Sequence, residues 1–363
     1  MSRALREAGH EVRIATGADF GAQIEEAGFP AVSVGPTRAF AKAERLRRHP
    51  ESTGVAPQDQ QRFHVTKVWA GIYAPYMLPD LLRAAEDWRP DLIVYDIASF
   101  GGPLVCALTG IPGVSHSFGP AFSCELLKAA GEAVVPLWAE HGLTAPESGG
   151  MLDAPHVDIW PGSLQLPDST AFPVLLPMRA PRPAPRNAAP PPFPDSGRPR
   201  VHVTLGTIFN QNPELFRIVI EGLRDLDVTV VLTSGPDQDP SVLGPLPPWV
   251  HALRFVPHER LLPHCDLVIS HSGAGTTLAA LEHGVPSLLL PQAADGFRVA
   301  EACVAAGAGS SLDPSGTTPE TVRRECAVLL GDPAYAEGAL RLRREIAAMP
   351  APEDVVLELM PPP

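Results

Sequence analysis

The stretch from Asp266 to Gly296, DLVISHSGAGTTLAALEHGVPSLLLPQAADG, leaves few folds open, because a buried strand, a glycine turn, a helix and a second strand follow one another without interruption. Asp266 to Ser270 is a short apolar run of strand type. His271, Ser272, Gly273, Ala274 and Gly275 form a turn that frees backbone N–H groups at the start of a helix beginning near Thr276, and such a turn holds an anion. The helix carries Leu278 and Leu281 on one face and stops at Gly284, after which Val285 to Pro291 returns as another apolar strand.

The same grammar runs through the rest of the chain. EVRIAT (11–16), AVSVG (31–35), DLIVYD (91–96) and GVSHS (113–117) alternate with helical stretches, and apolar runs separated by helices imply a parallel, right-handed doubly wound sheet. From Phe172 to Pro199 the chain is dense in proline, which reads as an extended, semi-rigid linker. Alternation then restarts with VHVTLG (201–206), VTVVLTSG (228–235), HALRFV (251–256), DLVIS, VPSLLLP and GSSLD (309–313). Thr318 before Pro319 marks a helix start, and Tyr335 to Met349 reads as a last helix. The expectation is an α/β chain of two Rossmann-like doubly wound domains, 1–175 and 200–350, joined by a linker at 176–199 and followed by a tail at 351–363.

Charge and cysteine usage narrow the function. Lys plus Arg number 28 against 41 Asp plus Glu, a formal charge of −13 that repels nucleic acid and anionic membrane surfaces. The five cysteines are scattered without CxxC spacing, so neither a disulfide framework nor a zinc site is suggested, and a reducing cytoplasm fits. The chain opens in charged helix rather than a signal peptide, and its longest apolar region, Leu92 to Val114, contains Asp96, Pro103 and Pro112, so it reads as strand, helix and strand rather than a membrane span. A monomer or homodimer is expected.

HSGAGTTLAALEHGVPSLLLPQAADG resembles the nucleotide-sugar signature of family 1 glycosyltransferases of the GT-B fold, most of all the actinobacterial enzymes that decorate polyketides, other antibiotics and related aglycones. ALREAGHEVRIAT, RPDLIVYDIASFGGPLVCALTGIPGVSHS, PRVHVTLGT and RFVPHERLLPHCDLVISHSGAGTT extend the resemblance over nearly the whole chain. It implies an inverting transfer of a sugar from a TDP- or UDP-sugar to a hydroxyl, less often an amine, of a small hydrophobic aglycone, with the donor on the second domain. Carried over position by position, His271 donates a hydrogen bond to the diphosphate, amides of Gly273, Ala274, Gly275 and Thr276 surround the same oxygens, and Thr207 lies near phosphate and sugar. Phe255 stacks on the base, Val256 supplies backbone bonds to it, and Asp295 holds sugar hydroxyls. Neither a cofactor nor a metal is implied.

Two departures concern the donor. Gly296 follows Asp295 where the family usually has Gln or Asn, which suits a deoxysugar, and Ala279 stands where many plant relatives bind ribose hydroxyls with a glutamate, which suits a thymidine donor. A third concerns the acceptor side. Family members begin with an apolar strand and a Gly-His turn whose histidine deprotonates the acceptor, whereas here the following helix starts at Met1, as if on the order of 15 to 20 residues were absent through a start codon assigned too late. Asp96 matches the aspartate that orients that histidine, or else caps its own turn. Losing such a base costs roughly 10²- to 10⁴-fold in rate, so a catalytically impaired or non-catalytic nucleotide-sugar-binding protein is the alternative.

Other candidates have bland readings. Asp237, Gln238 and Asp239 make a DxD triplet in a GPDQDP loop, where turn chemistry explains the aspartates better than a metal. His10 follows Gly9 at a helix end and reads as a turn residue. His64, Trp69, Tyr73, Tyr76 and Met77 have helical spacing that fits core packing, with some lining an acceptor pocket. His116 and Phe118 follow a strand end and are candidate acceptor contacts, while His258 and His264 flank a short loop.

Overall fold

The computed structural model describes residues 1–181, 193, 197–206, 212–235, 238–292 and 295–360. Most of the proline-rich linker, together with Thr207 and Asp237, lies outside these residues. Two compact units result, one of Met1–Trp160, Pro167–Pro181 and Pro350–Pro363, the other of Pro161–Leu166 and Arg182–Met349.

In the first unit β1 (Ile14–Thr16) and β2 (Ala31–Ser33) pair parallel as a two-stranded sheet, and β3 (Ile93–Asp96), β4 (Gly113–His116), β5 (His156–Asp158) and β6 (Leu175–Pro177) form a four-stranded parallel sheet in chain order. Strands β5 and β6 escape the periodicity reading. Each is three residues long, and β5 hides its His and Asp: Ser115 Oγ lies 2.7 Å from His156 Nδ1, and Ser117 Oγ donates to Asp158 Oδ1 at 2.9 Å. Burial of such polar side chains requires partners, and the neighbouring strand supplies them. Phe172 stacks on the His156 ring at 3.7 Å between centroids.

In the second unit β7 (Arg200–Thr204), β8 (Thr229–Thr233), β9 (Val250–Leu253), β10 (Leu267–Ser270), β11 (Ser287–Leu289) and β12 (Gly309–Ser311) form one parallel sheet in the order β12-β11-β10-β7-β8-β9. Every residue of β8 and β10 is buried, which is what strands covered on both faces by crossover helices require. Val201, Val203, Val230, Leu232, Leu267, Ile269 and Leu288 pack with Phe216 and Leu223 in one core, each such side chain contributing about 1.5–3 kcal/mol. From β7 the chain proceeds outward through β8 and β9, and then returns to place β10 on the other side of β7. Connections therefore diverge between β7 and β10, the switch point at which open parallel sheets bind ligands beyond their strand C-termini.

Helix ends follow the sequence cues. Gly9 takes φ 95°, and the amides of Gly9 and His10 bond Arg6 O and Leu5 O, which makes His10 the turn residue expected. Thr318 caps the helix Pro319–Gly331, accepting from Thr321 N while Thr321 Oγ1 accepts from Thr318 N. The stretch expected as a tail contains a helix, Pro352–Leu359. Asp354 accepts the amide of Ala351 at its start, Val355 packs with Val114, Val157 and Leu176, and Val356 with Ala4 and Leu5. A Val-Val-x-x-Leu stripe behind an early proline explains why this segment folds back onto the first unit.

Burial lowers the pKa of His156 and of His202, in the middle of β7, to about 3. Unfolded rings bind protons below about pH 6.5 while the folded rings do not, so stability is lost as pH falls from 6.5 towards 3, by up to about 1.4 kcal/mol per pH unit for each ring. The thermal midpoint should therefore drop steeply between pH 6.5 and 4.5, and less steeply in His156→Asn. An equal drop in both proteins would contradict this assignment.

Candidate functional site

At the end of β10 the backbone makes the anion turn. The helix starts at Ala274, two residues before the position expected, and Gly273 is its N-cap with extended backbone (φ −64°, ψ 135°). The first-turn amides of Ala274, Gly275 and Thr276 thus have no partner within the helix and add their dipoles at its positive end. Ser272 is fully buried with φ 64°, a left-handed conformation that costs a non-glycine residue about 1–2 kcal/mol. Its amide donates to Ser270 Oγ at 3.3 Å. Strain of this kind persists where the surrounding structure over-determines the backbone, and functional turns are where it collects.

His271 lies in this turn, largely enclosed, and burial lowers its pKa to about 4. The ring is neutral at physiological pH and so has one N–H to donate and one acceptor nitrogen. Across from it, Gly206 ends the β7 turn. From the other side comes the helix Gly296–Ala305, whose N-cap residue is Asp295. A β-carbon on Gly296 would lie 3.3 Å from the His271 carbonyl oxygen, so glycine there leaves room for this helix start against the anion turn. Burial raises the Asp295 pKa, partly offset by a backbone hydrogen bond.

Phe255 follows β9 and is 62% exposed, the largest exposure among the big hydrophobic side chains of the described residues, while Val256 beside it is buried with Val231, Leu261 and Phe193. Because all six strands are parallel, the turns after β7, β9 and β10 share one edge of the sheet. Three strand spacings separate β10 from β9, about 14 Å. The structure therefore puts His271, Gly273 to Thr276 and Asp295 together and Phe255 and Val256 farther along the same edge. Thr207 lies outside the described residues.

In the first unit Asp96 and His116 end neighbouring strands in register. Asp96 Oδ1 accepts the amide of Ala98 at 2.7 Å, the turn-capping geometry. Its carboxylate touches solvent at the surface, yet surrounding protein desolvates it and raises its pKa to about 6. His116 directs Nδ1 at the carbonyl of Ser117 at 2.6 Å, and burial lowers its pKa. Phe118 packs edge-on against Trp69 and Phe122, whose own rings stack at 6.4 Å, so these aromatics border the core. Trp69 belongs to the ten-residue π-helix His64–Tyr73, an uncommon form found frequently at functional sites. Pro75 has no N–H for the Gly71 carbonyl, and Arg48 Nη1 donates to that oxygen instead at 3.3 Å. Asp239 accepts from Ser241 N at 2.9 Å and pairs with Arg254 at 2.7 Å, as a turn aspartate does.

Sequence reasoning missed Gly206 and the strained Ser272. The glycine at the end of VHVTLG was the available signal for the first, since a strand that ends in glycine marks a turn with positive φ, here 75°. Nothing in the residue type announces the second.

Two family descriptions match: the N-terminal domain of erythromycin biosynthesis protein CIII-like proteins over residues 3–180, and their C-terminal domain over residues 217–361. The chain is 32% identical to L-demethylnoviosyl transferase of Streptomyces niveus over 96% of its own length and 90% of that protein. It is 34% identical to the elloramycin glycosyltransferase of Streptomyces olivaceus over 98% and 91%. Among solved structures, spinosyn rhamnosyltransferase SpnG complexed with thymidine diphosphate superposes with a TM-score of 0.80 at 28% identity, over 98% of this chain and 94% of that one. SnogD from Streptomyces nogalater gives 0.75 at 30%, over 99% and 92%. Among the described residues no helix is long and apolar enough to cross a membrane.

The raised Asp96 pKa predicts a stability effect. Folding favours the protonated carboxyl, so this residue's destabilisation grows as pH rises through about 6 and is absent below about 4. Asp96→Asn keeps the acceptor for Ala98 and should raise the thermal midpoint at pH 7.5 but not at pH 4. A lower midpoint at pH 7.5 would refute the assignment.

Proposed function

Because this chain belongs to the erythromycin biosynthesis protein CIII-like family of glycosyltransferases, we propose that it moves a deoxysugar from a thymidine-diphosphate sugar to a hydroxyl of a small hydrophobic aglycone, inverting the anomeric carbon. The observation that carries this reading is the anion turn after β10, where unpaired first-turn amides and a neutral imidazole converge at the switch point of the sheet.

Each donor contact has a physical role in this reading. The amides of Gly273, Ala274, Gly275 and Thr276 and the imidazole of His271 bind the diphosphate, and they bind it more strongly as it departs with its charge. Charge neutralisation then needs no cation. Phe255 stacks on the base and Val256 bonds it through the backbone, about 14 Å along the sheet edge from the phosphates. Thr207, outside the described residues, matches the family position that serves phosphate and sugar. Asp295 holds sugar hydroxyls, and with glycine at 296 it does so without the second polar side chain, which suits a sugar lacking a hydroxyl. The solved relative that carries thymidine diphosphate supports thymidine as the nucleoside.

On the acceptor side Asp96 stands where the family's aspartate orients the base histidine, a histidine for which this sequence shows no match, and His116 and Phe118 contact the aglycone. The acceptor oxygen attacks opposite the diphosphate, and its proton passes to a general base for which no residue of this sequence is assigned. The second reading, a donor-binding protein without turnover, is supported by the bond from Ala98 to Asp96, which engages one carboxylate oxygen within its own turn.

Calorimetry with thymidine diphosphate and a donor-consumption assay test the proposal. His271→Ala should weaken thymidine diphosphate binding about 10- to 100-fold, the worth of a charge-assisted hydrogen bond of roughly 1.5–3 kcal/mol. Turnover of thymidine-diphosphate deoxysugars with an aromatic or macrolide acceptor should survive EDTA. Binding without turnover would establish the second reading, and no binding at all would defeat both.

A further inference from the structure

The glycines around His271 do more than permit turns. A β-carbon built on Gly206 would lie 2.3 Å from Cε1 and 2.7 Å from Nε2 of the His271 ring, and one built on Gly273 would lie 2.4 Å from Nε2 and 2.8 Å from Cε1. Carbon makes favourable contact only from about 3.5 Å, so neither site can carry a side chain while the ring stays where it is. The same ring edge thus lies between two backbone segments, one after β7 and one after β10. On its main-chain side the turn meets Gly296, where a β-carbon would be 3.3 Å from the His271 oxygen and 3.5 Å from Ser272 Cβ.

Conformation separates the two ring contacts. Gly206 has φ 75°, which glycine adopts at no steric cost, so its identity serves the backbone and the ring together. Gly273 has φ −64° and ψ 135°, a conformation open to every residue. Its backbone makes no demand for glycine, and the three nearest neighbours of its missing side chain are atoms of the His271 ring. Space for that ring is therefore a reason for glycine there.

We propose that Gly206 and Gly273 are positioning residues that seat the His271 imidazole between two loops and so aim it at the donor diphosphate. They act by omission: the slot between their α-carbons accepts the flat ring in one orientation. Orientation matters because a neutral imidazole offers a single directional N–H to the anion, and a hydrogen bond weakens steeply once its angle falls towards 120°. The inference rests on the donor reading of His271.

The test is a double-mutant cycle on thymidine diphosphate affinity in the full chain. Gly206→Ala and Gly273→Ala should each raise the dissociation constant about tenfold or more when His271 is present. Joined to His271→Ala, which empties the slot, neither should add more than about a twofold change. Loss of the same size in both backgrounds would overturn the proposal, because the glycines would then act without the ring. Should Gly206→Ala fail to fold, Gly273→Ala still decides the matter, its backbone being open to alanine. The donor reading is judged separately: if His271→Ala alone binds thymidine diphosphate as tightly as the unaltered chain, that reading falls whatever the glycine variants do.

Discussion

Backbone amides at the start of a helix cannot be satisfied by the helix itself, and in this chain the set that follows β10 stands at the switch point of the sheet. The second unit is arranged around that fact. β10 is buried along its whole length, so its end is held firmly, and the turn after it is tight enough to force Ser272 to φ 64°. Rigid placement makes the amides a fixed electrostatic feature. Dipoles that need not reorganise stabilise an anion far better than water or flexible side chains can.

The charge balance of the chain makes this arrangement more telling. A formal charge of −13 offers an anionic ligand no general attraction, so binding must come from local groups. His271 is kept neutral by burial, and Asp295 by the same cause has its carboxyl raised. Selectivity for a nucleotide sugar then depends on directional hydrogen bonds rather than net charge. In the first unit half-buried aromatics such as Trp69 and Phe118 border the core.

Much of this was legible in the residues. Short apolar runs between helices specify parallel strands, and among the described residues ten of the twelve strands coincide with runs read from the sequence. β5 and β6 do not, because His156 and Asp158 look like surface residues until Ser115 on β4 and Ser117 just after it are seen to partner them. The helix Pro352–Leu359 was hidden for a related reason: its apolar stripe of Val355, Val356 and Leu359 is short, and only contact with β-strands and an N-terminal helix far away in sequence gives it a purpose. At the donor site the turn could be read from HSGAGTT, whereas the role of Gly206 could not. It depends on two loops sixty-five positions apart meeting at one imidazole, and distance in space is what linear spacing fails to record.

A crystal structure of the protein grown with thymidine diphosphate tests the central claim most directly. The account predicts pyrophosphate oxygens within hydrogen-bond distance of a His271 ring nitrogen and of the amides from Ala274 to Thr276, with the base against Phe255. Pyrophosphate bound elsewhere, with the turn after β10 empty, would contradict it.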